Sequence, residues 1–451
     1  MTDEAKTLTV VGLGKLGAPM VACLAAKGFD VIGVDVDDRK VAAVAAGEAP
    51  VYEPQLAELL DENKDRITAT TDLRDAVLRS DLTFVVVATP SDANGGFSLK
   101  WVLPACETIG SALAEKDAFH TVVLTSTVMP GSTEREVVPA LERAGGKICG
   151  VDFGVCYSPE FIALGSVIRD FLNPDFLLVG ESDERAGAVL ESLYRRVVET
   201  DAPVARMSFV NAELAKLSVN TFVTTKIAYA NMLARMCERL PGADVDVVTS
   251  AIGLDTRIGT KYLRGAISYG GPCFPRDNVA LATLARTLGA PAFVAEATDS
   301  ANRDGIERLA DLAESKLPDG GTVTVLGLSY KPNTDVVEEA PGLLLVRTLT
   351  ERGVDVVAYD PAAAANAERA LAGTGRIVES LDVAVKEGDT IVIATAWDEF
   401  KRLGSDQLAR DGQRRVVIDC WRLLRRDDLE PAVEYVELGR GGLMPTRVAQ
   451  G

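Results

Sequence analysis

The chain has 451 residues, 47% of them apolar, so it is long enough for two or three domains with full hydrophobic cores. Its formal net charge of −19 argues against nucleic acid as a partner, because a negative field repels phosphate backbones. Any anionic substrate must therefore meet a locally basic pocket.

The sequence has no pattern typical of export or membrane insertion. Residues 1–6 are polar and no apolar core precedes a cleavage site, so no signal peptide is expected. No apolar run is long enough to span a bilayer. The seven cysteines are scattered without a C-x-x-C pair, which argues against a disulfide framework or a zinc site. We expect a cytoplasmic protein without a bound metal.

Short β-branched runs alternate with helical stretches in the first part of the chain. This alternation predicts a Rossmann-like, doubly wound parallel sheet. Its strands are expected at Leu8–Val11, Val31–Val34, Leu82–Val87, Val122–Thr125 and Phe176–Val179. The single histidine, His120, precedes the fourth run, so we expect a structural or exposed role for it rather than catalysis.

A glycine-rich loop follows the first predicted strand. Gly12-Leu13-Gly14-Lys15-Leu16-Gly17 matches G-x-G-x-x-G and opens an apolar helix over 18–26. These glycines allow close backbone approach to a pyrophosphate at the helix N-terminus. Asp35 ends the second strand, 18 residues after Gly17 (35 − 17 = 18), where a carboxylate accepts from ribose hydroxyls and repels a 2′-phosphate. The sequence therefore predicts NAD rather than NADP.

Hydroxyl residues close two later strands of this sheet, at Thr89-Pro90 and at Ser126-Thr127. The carboxyl ends of strands in an open α/β sheet face the ligand crevice. We therefore expect these side chains on the nicotinamide side of the cofactor.

The pattern becomes helical after about Ser208. Val210 to Leu240 contains neither Gly nor Pro and predicts one long helix, which Pro241-Gly242 ends. A helical block between two α/β units often forms a dimer interface, so a homodimer or higher homo-oligomer is expected. A turn at Pro318-Asp319-Gly320-Gly321 marks the next boundary. We predict three domains, at 1–207, 208–317 and 318–451.

The last domain begins like the first, with Thr322-Val323-Thr324-Val325-Leu326-Gly327-Leu328, and predicts a second Rossmann-like sheet. Further strands are expected at Val354–Tyr359, Thr390–Ala394 and Val416–Ile418. The glycine fingerprint is absent, and Ser329-Tyr330-Lys331-Pro332 stands in its place. An aromatic ring and a cation suit a base and a phosphate, so this domain is expected to hold the nucleotide of the substrate.

The candidate chemical centre is Tyr269-Gly270-Gly271-Pro272-Cys273-Phe274-Pro275-Arg276-Asp277. Cys273 precedes a helical pattern, and Pro275 suits a first helical turn. A thiol at a helix N-terminus beside Arg276 is favoured as a thiolate nucleophile. Asp277 is then a candidate base or water-orienting group. With NAD, a reactive cysteine indicates aldehyde-level oxidation by covalent catalysis.

Two sets of polar residues, each with at least one cation, accompany this centre. Lys216 and Asn220 are four residues apart on the long predicted helix and suit an oxyanion site. Arg257, Lys261 and Arg264 are spaced i, i+4, i+7 and predict a basic stripe suited to a pyrophosphate. A solvated surface stripe is the competing interpretation.

From residues 8 to 438 the chain resembles the UDP-glucose/GDP-mannose dehydrogenase family. The motifs that carry the resemblance are Gly12 to Gly17, Ser158-Pro159-Glu160-Phe161, Ala215 to Asn220, Asp255-Thr256-Arg257-Ile258-Gly259, Gly270 to Asp277 and Tyr330 to Asp335. The resemblance implies a four-electron oxidation of a nucleotide sugar with two NAD, through a thiohemiacetal and then a thioester on Cys273.

The resemblance also implies a role for each matching residue. Lys216 and Asn220 would stabilise the oxyanion, Asp277 and Thr127 would hold a water, and Glu160 would be the base for thioester hydrolysis. Arg257 would reach the substrate across a dimer interface. Cofactor contacts are expected at Gly12, Leu13, Gly14, Leu16, Gly17, Asp35, Lys40, Thr89 and Ser126. Substrate contacts are expected at Phe161, Leu164, Arg257, Tyr262, Arg264, Tyr269, Gly270, Phe274, Tyr330 and Lys331.

Three positions depart from the family pattern. Glu338 stands where an Arg usually lies near the NAD pyrophosphate, Leu164 replaces a Glu, and Trp421 stands where an Arg commonly contacts the nucleotide. UDP-glucose is favoured because Phe274 follows Cys273, while dTDP-glucose, a UDP-N-acetylhexosamine and GDP-mannose stay open. Two other classes are a non-catalytic NAD-binding regulator and a two-electron hydroxyacid dehydrogenase, although the latter leaves Cys273 unexplained.

Overall fold

The computed structural model of the protein describes residues 6–410, 415–429 and 431–442. The chain divides into two compact units, Met1–Ser218 and Val219–Gly451. The first and last residues of the predicted domains, 1–5 and 443–451, lie outside the described residues. No helix in the described ranges is both long enough and apolar enough to cross a membrane.

An eight-stranded sheet forms the centre of the first unit. Its strands are β1 (Thr7–Val11), β2 (Asp30–Val34), β3 (Ile67–Thr70), β4 (Leu82–Val85), β5 (Thr121–Leu124), β6 (Gly154–Tyr157), β7 (Leu177–Glu181) and β8 (Val204–Met207). They lie in the order β3-β2-β1-β4-β5-β6-β7-β8. The five predicted strands are present within two residues of their expected ends. All residues of β4 and β5 are buried, as expected for strands covered on both faces.

The first sheet is parallel, as predicted, except at one pair, since β6 and β7 are antiparallel. The connection between them contains one short helix, α7 (Val167–Leu172). Its 6 residues span about 9 Å, and the chain re-enters the sheet at the edge that it left. Glu160 lies in this connection, at the carboxyl end of β6.

Eight helices cover the first sheet. They are α1 (Gly17–Ala26), α2 (Asp38–Ala45), α3 (Leu56–Glu62), α4 (Leu73–Arg79), α5 (Val102–Leu113), α6 (Val138–Gly145), α7 and α8 (Glu184–Val197). Helix α1 is buried over residues 17–25, which explains why its sequence is apolar on all sides. It packs with Leu8, Val10 and Phe29 in the main core of the unit.

The long predicted helix is α9 (Phe209–Cys237), which begins in the first unit and continues into the second. It ends three residues before the predicted Leu240. Helices α10 (Val245–Gly253), α11 (Phe274–Thr287) and α12 (Phe293–Ser315) follow.

A six-stranded parallel sheet forms the second α/β layer, in the second unit. Its strands are β9 (Thr322–Leu326), β10 (Asp355–Tyr359), β11 (Arg376–Ile377), β12 (Thr390–Ile393), β13 (Arg415–Asp419) and β14 (Val433–Glu437). Their order is β11-β10-β9-β12-β13-β14, which repeats the plan of β1–β6. The accompanying helices are α13 (Pro341–Glu351), α14 (Ala364–Leu371), α15 (Leu381–Glu387) and α16 (Ser405–Leu408). The predicted second Rossmann-like sheet is confirmed.

Candidate functional site

The glycine loop forms a tight turn between β1 and α1. Gly12 has φ +104°, and a Cβ on Gly17 would lie 1.7 Å from the carbonyl oxygen of Gly12. No atom lies within 4 Å of the position that a Cβ on Gly14 would take. The outer glycines are thus required by the turn itself, while the middle one leaves open space above the N-terminus of α1. This arrangement fits a pyrophosphate.

Asp35 lies next to this loop at the end of β2. Its Oδ2 accepts from the Leu13 amide at 2.7 Å and is 3.3 Å from Lys40 Nζ. Its Oδ1 accepts from the Asp37 amide at 2.9 Å. The structure therefore brings Leu13, Asp35 and Lys40 together at the predicted ribose position.

The predicted hydroxyl residues follow the neighbouring strands β4 and β5. Thr89 Oγ1 donates to the Thr127 carbonyl at 2.7 Å, and Ser126 Oγ donates to the Val87 carbonyl at 2.6 Å. Because β1 and β4 are adjacent, these ends lie beside the point where the strand order reverses, which is where such sheets bind ligands.

Glu160, Phe161 and Lys216 form a second group in the first unit. Lys216 Nζ donates to the Glu160 carbonyl at 2.5 Å and lies 4.5 Å from the centroid of the Phe161 ring. The side chain of Lys216 is thus held between a carbonyl and an aromatic face. Phe161 packs on Phe176 with ring centroids 4.7 Å apart.

The carboxyl group of Glu160 contacts Tyr194, which the sequence did not indicate as functional. Tyr194 Oη donates to Glu160 Oε1 at 3.3 Å. Burial raises the pKa of Glu160 to about 7, although Lys216 and the Tyr194 hydroxyl act in the opposite direction. A carboxylate that titrates near neutral pH suits a general base. Tyr194 lies on α8 in no recognisable motif, and only its burial as a polar aromatic hints that its hydroxyl needs a partner.

The loop that carries Leu164 is fixed by a carboxylate from an earlier part of the chain. Glu53 accepts from the Gly165 amide at 2.7 Å and from the Val167 amide at 2.8 Å. Glu53 is buried and precedes α3. It was not predicted from the sequence, because nothing in the spacing of 53 and 165 links them.

Cys273 lies at the N-cap of α11 and is exposed. All seven cysteines of the chain lie in the described ranges, and the other six are buried or half-buried. Burial raises the pKa of Cys23 and of Cys106 to about 12, so these thiols are inert at neutral pH. Position alone therefore distinguishes Cys273 as the accessible thiol.

Asn220 and Asp277 meet in the second unit. Asn220 Nδ2 donates to Asp277 Oδ2 at 2.6 Å, and Arg276 Nε is 3.6 Å from Asp277 Oδ1. The Asp277 amide donates to the Cys273 carbonyl at 2.8 Å, within the first turn of α11. Asp277 is only 1% exposed. It therefore orients the Asn220 amide and links it to the turn that carries Cys273.

Three aromatic rings surround the start of α11. Phe274 makes edge contacts with Tyr262 and Tyr269, with ring centroids 6.3 Å and 6.2 Å apart. Tyr262 is half-exposed and has φ 61°, a strained conformation for a bulky residue and a common feature of functional loops. Asn302 fixes the backbone of Tyr269 at both groups. Its Oδ1 accepts from the Tyr269 amide at 2.8 Å, and its Nδ2 donates to the Tyr269 carbonyl at 2.9 Å.

The two glycines before Cys273 pack against the segment 330–339. A Cβ on Gly270 would lie 2.2 Å from the Glu339 carbonyl oxygen, and one on Gly271 would lie 2.8 Å from the Tyr330 ring. The Gly271 amide donates to the Glu338 carbonyl at 2.9 Å. Glu338 thus supports the cysteine loop through its backbone, whatever its side chain. Lys331 Nζ lies 5.9 Å from the centroid of the Tyr330 ring.

The predicted basic stripe is wrong as a helix face. Helix α10 ends at Gly253 and α11 begins at Phe274, so the spacing of the three cations does not align them. Arg257 is exposed and pairs with Asp255. Arg264 donates to the Trp421 carbonyl at 2.7 Å, and its guanidinium lies 5.7 Å from the centroid of the Trp421 ring. Arg264 thus contacts the position of a departure from the family pattern.

Two glycines of the second sheet correspond to the first and last glycines of the G-x-G-x-x-G loop. This correspondence was not recognised from the sequence. Gly327 has φ +101°, and a Cβ on Gly342 would lie 1.9 Å from the Gly327 carbonyl oxygen, as for Gly12 and Gly17. The spacing is 15 residues (342 − 327) instead of 5 (17 − 12), so ten extra residues, including Tyr330 and Lys331, occupy this loop. The altered loop fits a ligand other than a dinucleotide.

His120 is buried, and its Nε2 is 2.9 Å from Thr83 Oγ1. Burial lowers the pKa of His120 to about 3, so its ring is neutral. Among the residues that the structure describes, no cluster of three His, Cys, Asp or Glu side chains could hold a metal ion.

Three sequence profiles of one family match consecutive segments of the chain. They represent the NAD binding, central and UDP binding domains of the UDP-glucose/GDP-mannose dehydrogenase family and match residues 6–198, 210–304 and 324–426. UDP-glucose 6-dehydrogenase AglM of Haloferax volcanii is 37% identical over 428 residues, 94% of this chain and 98% of that protein. GDP-mannose 6-dehydrogenase of Azotobacter vinelandii is 33% identical over 88% of this chain and 93% of its own length. The structure of a UDP-glucose dehydrogenase from Pyrobaculum islandicum is similar with a TM-score of 0.87 and 34% identity, covering 98% of each chain.

Proposed function

This chain belongs to the UDP-glucose/GDP-mannose dehydrogenase family and is an NAD-dependent nucleotide-sugar 6-dehydrogenase, and from that premise we propose that it oxidises the C6 CH2OH of UDP-glucose to a carboxylate. The observation that carries the proposed mechanism is the exposed Cys273 at the N-cap of α11. The same helix turn holds Asp277 against Asn220.

The proposed overall reaction converts one CH2OH, two NAD and one water into one carboxylate, two NADH and three protons. NAD, when bound at the Gly12 to Gly17 loop, accepts one hydride from the alcohol and one from the thiohemiacetal. Cys273 forms the C–S bond by attacking the intermediate aldehyde carbon as a thiolate, and that bond breaks when water attacks the thioester. The thiolate is thereby regenerated.

The remaining roles follow from charge and hydrogen bonding. We assign Lys216 and Asn220 to the oxygen that becomes negative during each addition, because a cation and an amide donor both stabilise an oxyanion. Glu160 takes the proton of the attacking water, and Thr127 helps to hold that water. Asp277 acts through Asn220, whose amide it fixes at 2.6 Å.

The choice of UDP-glucose is supported by Phe274 after Cys273 and by the UDP-glucose dehydrogenases among the similar proteins. We assign Tyr330 and Lys331, which follow β9, to the nucleotide, together with Arg264 and its partner Trp421, which follows β13. GDP-mannose and a UDP-N-acetylhexosamine are the competing substrates. We also propose three domains, at 1–207, 208–317 and 318–451, and a cytoplasmic location.

The test is the amount of NADH formed per sugar consumed across UDP-, dTDP- and GDP-sugars. Two NADH per UDP-glucose supports the proposal and identifies the substrate. One NADH per sugar contradicts the thioester route, and two NADH with GDP-mannose alone contradicts the choice of sugar. NAD binding without turnover of any of these sugars would indicate a non-catalytic member of the family.

A variant separates binding from chemistry. Cys273→Ala is expected to lower carboxylate formation by at least about a thousandfold, since the nucleophile is lost, while NAD affinity stays within about twofold. Cys149→Ala, which removes a half-buried thiol of the first unit, is the matched control with unchanged activity. Full activity of Cys273→Ala would contradict covalent catalysis.

We also propose a second copy of this chain as a partner. Helix α9 exposes Phe222, Tyr229 and Met236 at seven-residue intervals, with Met232 between them. This spacing places the side chains on one apolar face of the helix. An identical face on a second copy would cover it in an isologous dimer.

A further inference from the structure

Glu160 is bound to a chain of two buried hydroxyl groups. Tyr194 Oη lies 3.3 Å from Glu160 Oε1 and 2.9 Å from Ser158 Oγ. Ser158 Oγ in turn donates to the Leu178 carbonyl on β7 at 2.9 Å. Tyr194 is 1% exposed and Ser158 is 2% exposed, so water does not compete for these contacts.

The number of hydrogens in this chain limits how it can be arranged. Each hydroxyl has one hydrogen to donate. The Ser158 hydrogen is used on the Leu178 carbonyl, so the Ser158 oxygen acts as an acceptor toward Tyr194. The single Tyr194 hydrogen can therefore be directed either to Ser158 or to Glu160.

These two positions of the Tyr194 hydrogen correspond to the two protonation states of Glu160. When Glu160 is ionised, Tyr194 donates to the carboxylate and stabilises its charge. When Glu160 is protonated, its own O–H donates to the Tyr194 oxygen, and Tyr194 donates to Ser158. Neither state leaves a buried hydroxyl hydrogen without an acceptor.

Other titratable groups lie near Glu160 or its partner Tyr194. Lys216 on α9 favours the ionised carboxylate. Cys23 on α1 is electrostatically coupled to Glu160, but burial keeps the pKa of its thiol at about 12, so it stays neutral. Cys156 on β6 lies near Tyr194, and burial raises its pKa as well. Within this set only Tyr194 can reverse its hydrogen bond when Glu160 gains a proton.

We propose that Tyr194 and Ser158 are positioning residues that form a reversible hydroxyl relay and set the pH at which Glu160 acts as a base. The inference rests on the proposed role of Glu160 in thioester hydrolysis. It adds no atom to the overall reaction, since the proton taken from the attacking water ends on Glu160 and leaves to solvent.

The relay predicts opposite effects for its two members. Tyr194→Phe removes the donor to the carboxylate, so the acidic limb of the kcat profile for UDP-glucose oxidation should move up by about one pH unit, a tenfold loss of rate on that limb. Ser158→Ala removes the alternative acceptor, which commits the Tyr194 hydrogen to Glu160. The same limb should then move down by about half a unit.

The matched control is Tyr359→Phe, which removes a tyrosine hydroxyl that donates to the Glu399 carboxylate in the second unit. Its profile should not shift. Equal shifts of the acidic limb in Tyr194→Phe and Ser158→Ala, or no shift in either, would overturn the relay. Thermal melting identifies any variant that fails to fold. If Tyr194→Phe does not fold, a downward shift in Ser158→Ala supports the relay and no shift overturns it.

A fourth variant separates this inference from the proposed function. Glu160→Gln should form carboxylate at least about a hundredfold more slowly. Wild-type rates in Glu160→Gln would remove Glu160 as the base and the relay with it. A slow Glu160→Gln together with unshifted hydroxyl variants would overturn the relay alone.

Discussion

Asp35 and Asp360 follow the second strands of the two sheets and accept equivalent hydrogen bonds. Asp35 accepts from the Leu13 amide, and Asp360 accepts from the Leu328 amide at 2.8 Å. Asp360 is also bound by the Ser329 hydroxyl at 2.8 Å and by the Trp397 indole at 3.2 Å. Asp35 makes fewer such contacts and is 9% exposed against 2% for Asp360. One carboxylate thus remains accessible to a ribose, while the other is used within the fold.

This difference predicts separate effects of the same substitution. Asp35→Asn should raise the KM for NAD about tenfold and reduce the discrimination against NADP, because the charge at the ribose is lost. Asp360→Asn should leave NAD kinetics unchanged but cost about 2–4 kcal/mol of stability, since its amide would face buried donors. Steady-state kinetics with both cofactors and thermal melting measure the two effects. Unchanged NADP discrimination in Asp35→Asn would contradict the assignment.

The pKa of Glu160 predicts a pH-dependent stability. Burial raises this pKa from 4.5 to about 7, so the native state binds the proton more tightly than the unfolded chain. Its stabilisation is fully present below about pH 4.5 and is lost as the pH rises through 7. Glu160→Gln cannot ionise, so its Tm relative to the wild type should rise by about 2 °C or more between pH 5 and pH 8.

Melting curves of the two proteins at several pH values check this expectation. Because the other titrating groups are common to both proteins, they cancel in the difference. A Tm difference that stays constant from pH 5 to pH 8 would mean that burial does not raise the pKa of Glu160.

At the scale of elements, the sequence predicted the strands with continuous apolar runs and missed the weakly patterned ones. In β3 (Ile67–Thr70) every second residue is a threonine, and β6 (Gly154–Tyr157) begins with a glycine, whereas β4 and β5 are equally short but were predicted. The direction of β7 was missed because its run Leu177 to Gly180 is buried on both faces, like the parallel strands of the same sheet. The basic stripe failed because a helical period was applied to a segment without a helix.

The site residues divide in the same way. The position of Cys273 at a helix N-cap and that of Asp35 beside the glycine loop were predictable because both depend on a local sequence pattern. Tyr194 and Glu53 were not, because each reaches its partner across a long sequence separation. The second fingerprint escaped detection because ten extra residues separate its outer glycines.

The glycine loop predicts contrasting effects at two of its positions. Gly17→Ala should destabilise the protein by about 1–3 kcal/mol or more, because the new Cβ would meet the Gly12 carbonyl at 1.7 Å. Gly14→Ala should change stability by less than about 0.5 kcal/mol, since open space surrounds the site and its φ is not left-handed. It should nevertheless weaken NAD binding at least about tenfold, because the methyl group occupies the path of the pyrophosphate.

Thermal melting and a fluorescence titration with NAD measure these effects side by side. Wild-type NAD affinity in a folded Gly14→Ala would show that the cofactor does not approach the backbone there. A Gly17→Ala variant as stable as the wild type would contradict the predicted clash with the Gly12 carbonyl.

At the scale of the whole molecule, the chain uses one sheet plan twice for two ligand chemistries. Strands β1–β6 and β9–β14 follow equivalent orders, and the first strand of each sheet is followed by a glycine at positive φ. The first sheet keeps a 5-residue glycine spacing (17 − 12), and the second extends it to 15 (342 − 327) and adds Tyr330 and Lys331. In a chain with a net charge of −19, such local cations are the groups able to meet a phosphate.

The exposed apolar face of α9 predicts the assembly state. Phe222 and Tyr229 are 68% and 49% exposed, and a face of this kind is normally covered by a partner. Phe222→Glu combined with Tyr229→Glu should convert a dimer into monomers, because two buried like charges would face their copies across the symmetry axis. Light scattering after size-exclusion chromatography gives the mass directly. Trp101→Glu replaces another exposed aromatic, at 56%, and should keep the dimer. A dimer that survives the double substitution would place the assembly surface elsewhere. A monomeric wild type would contradict the proposed dimer.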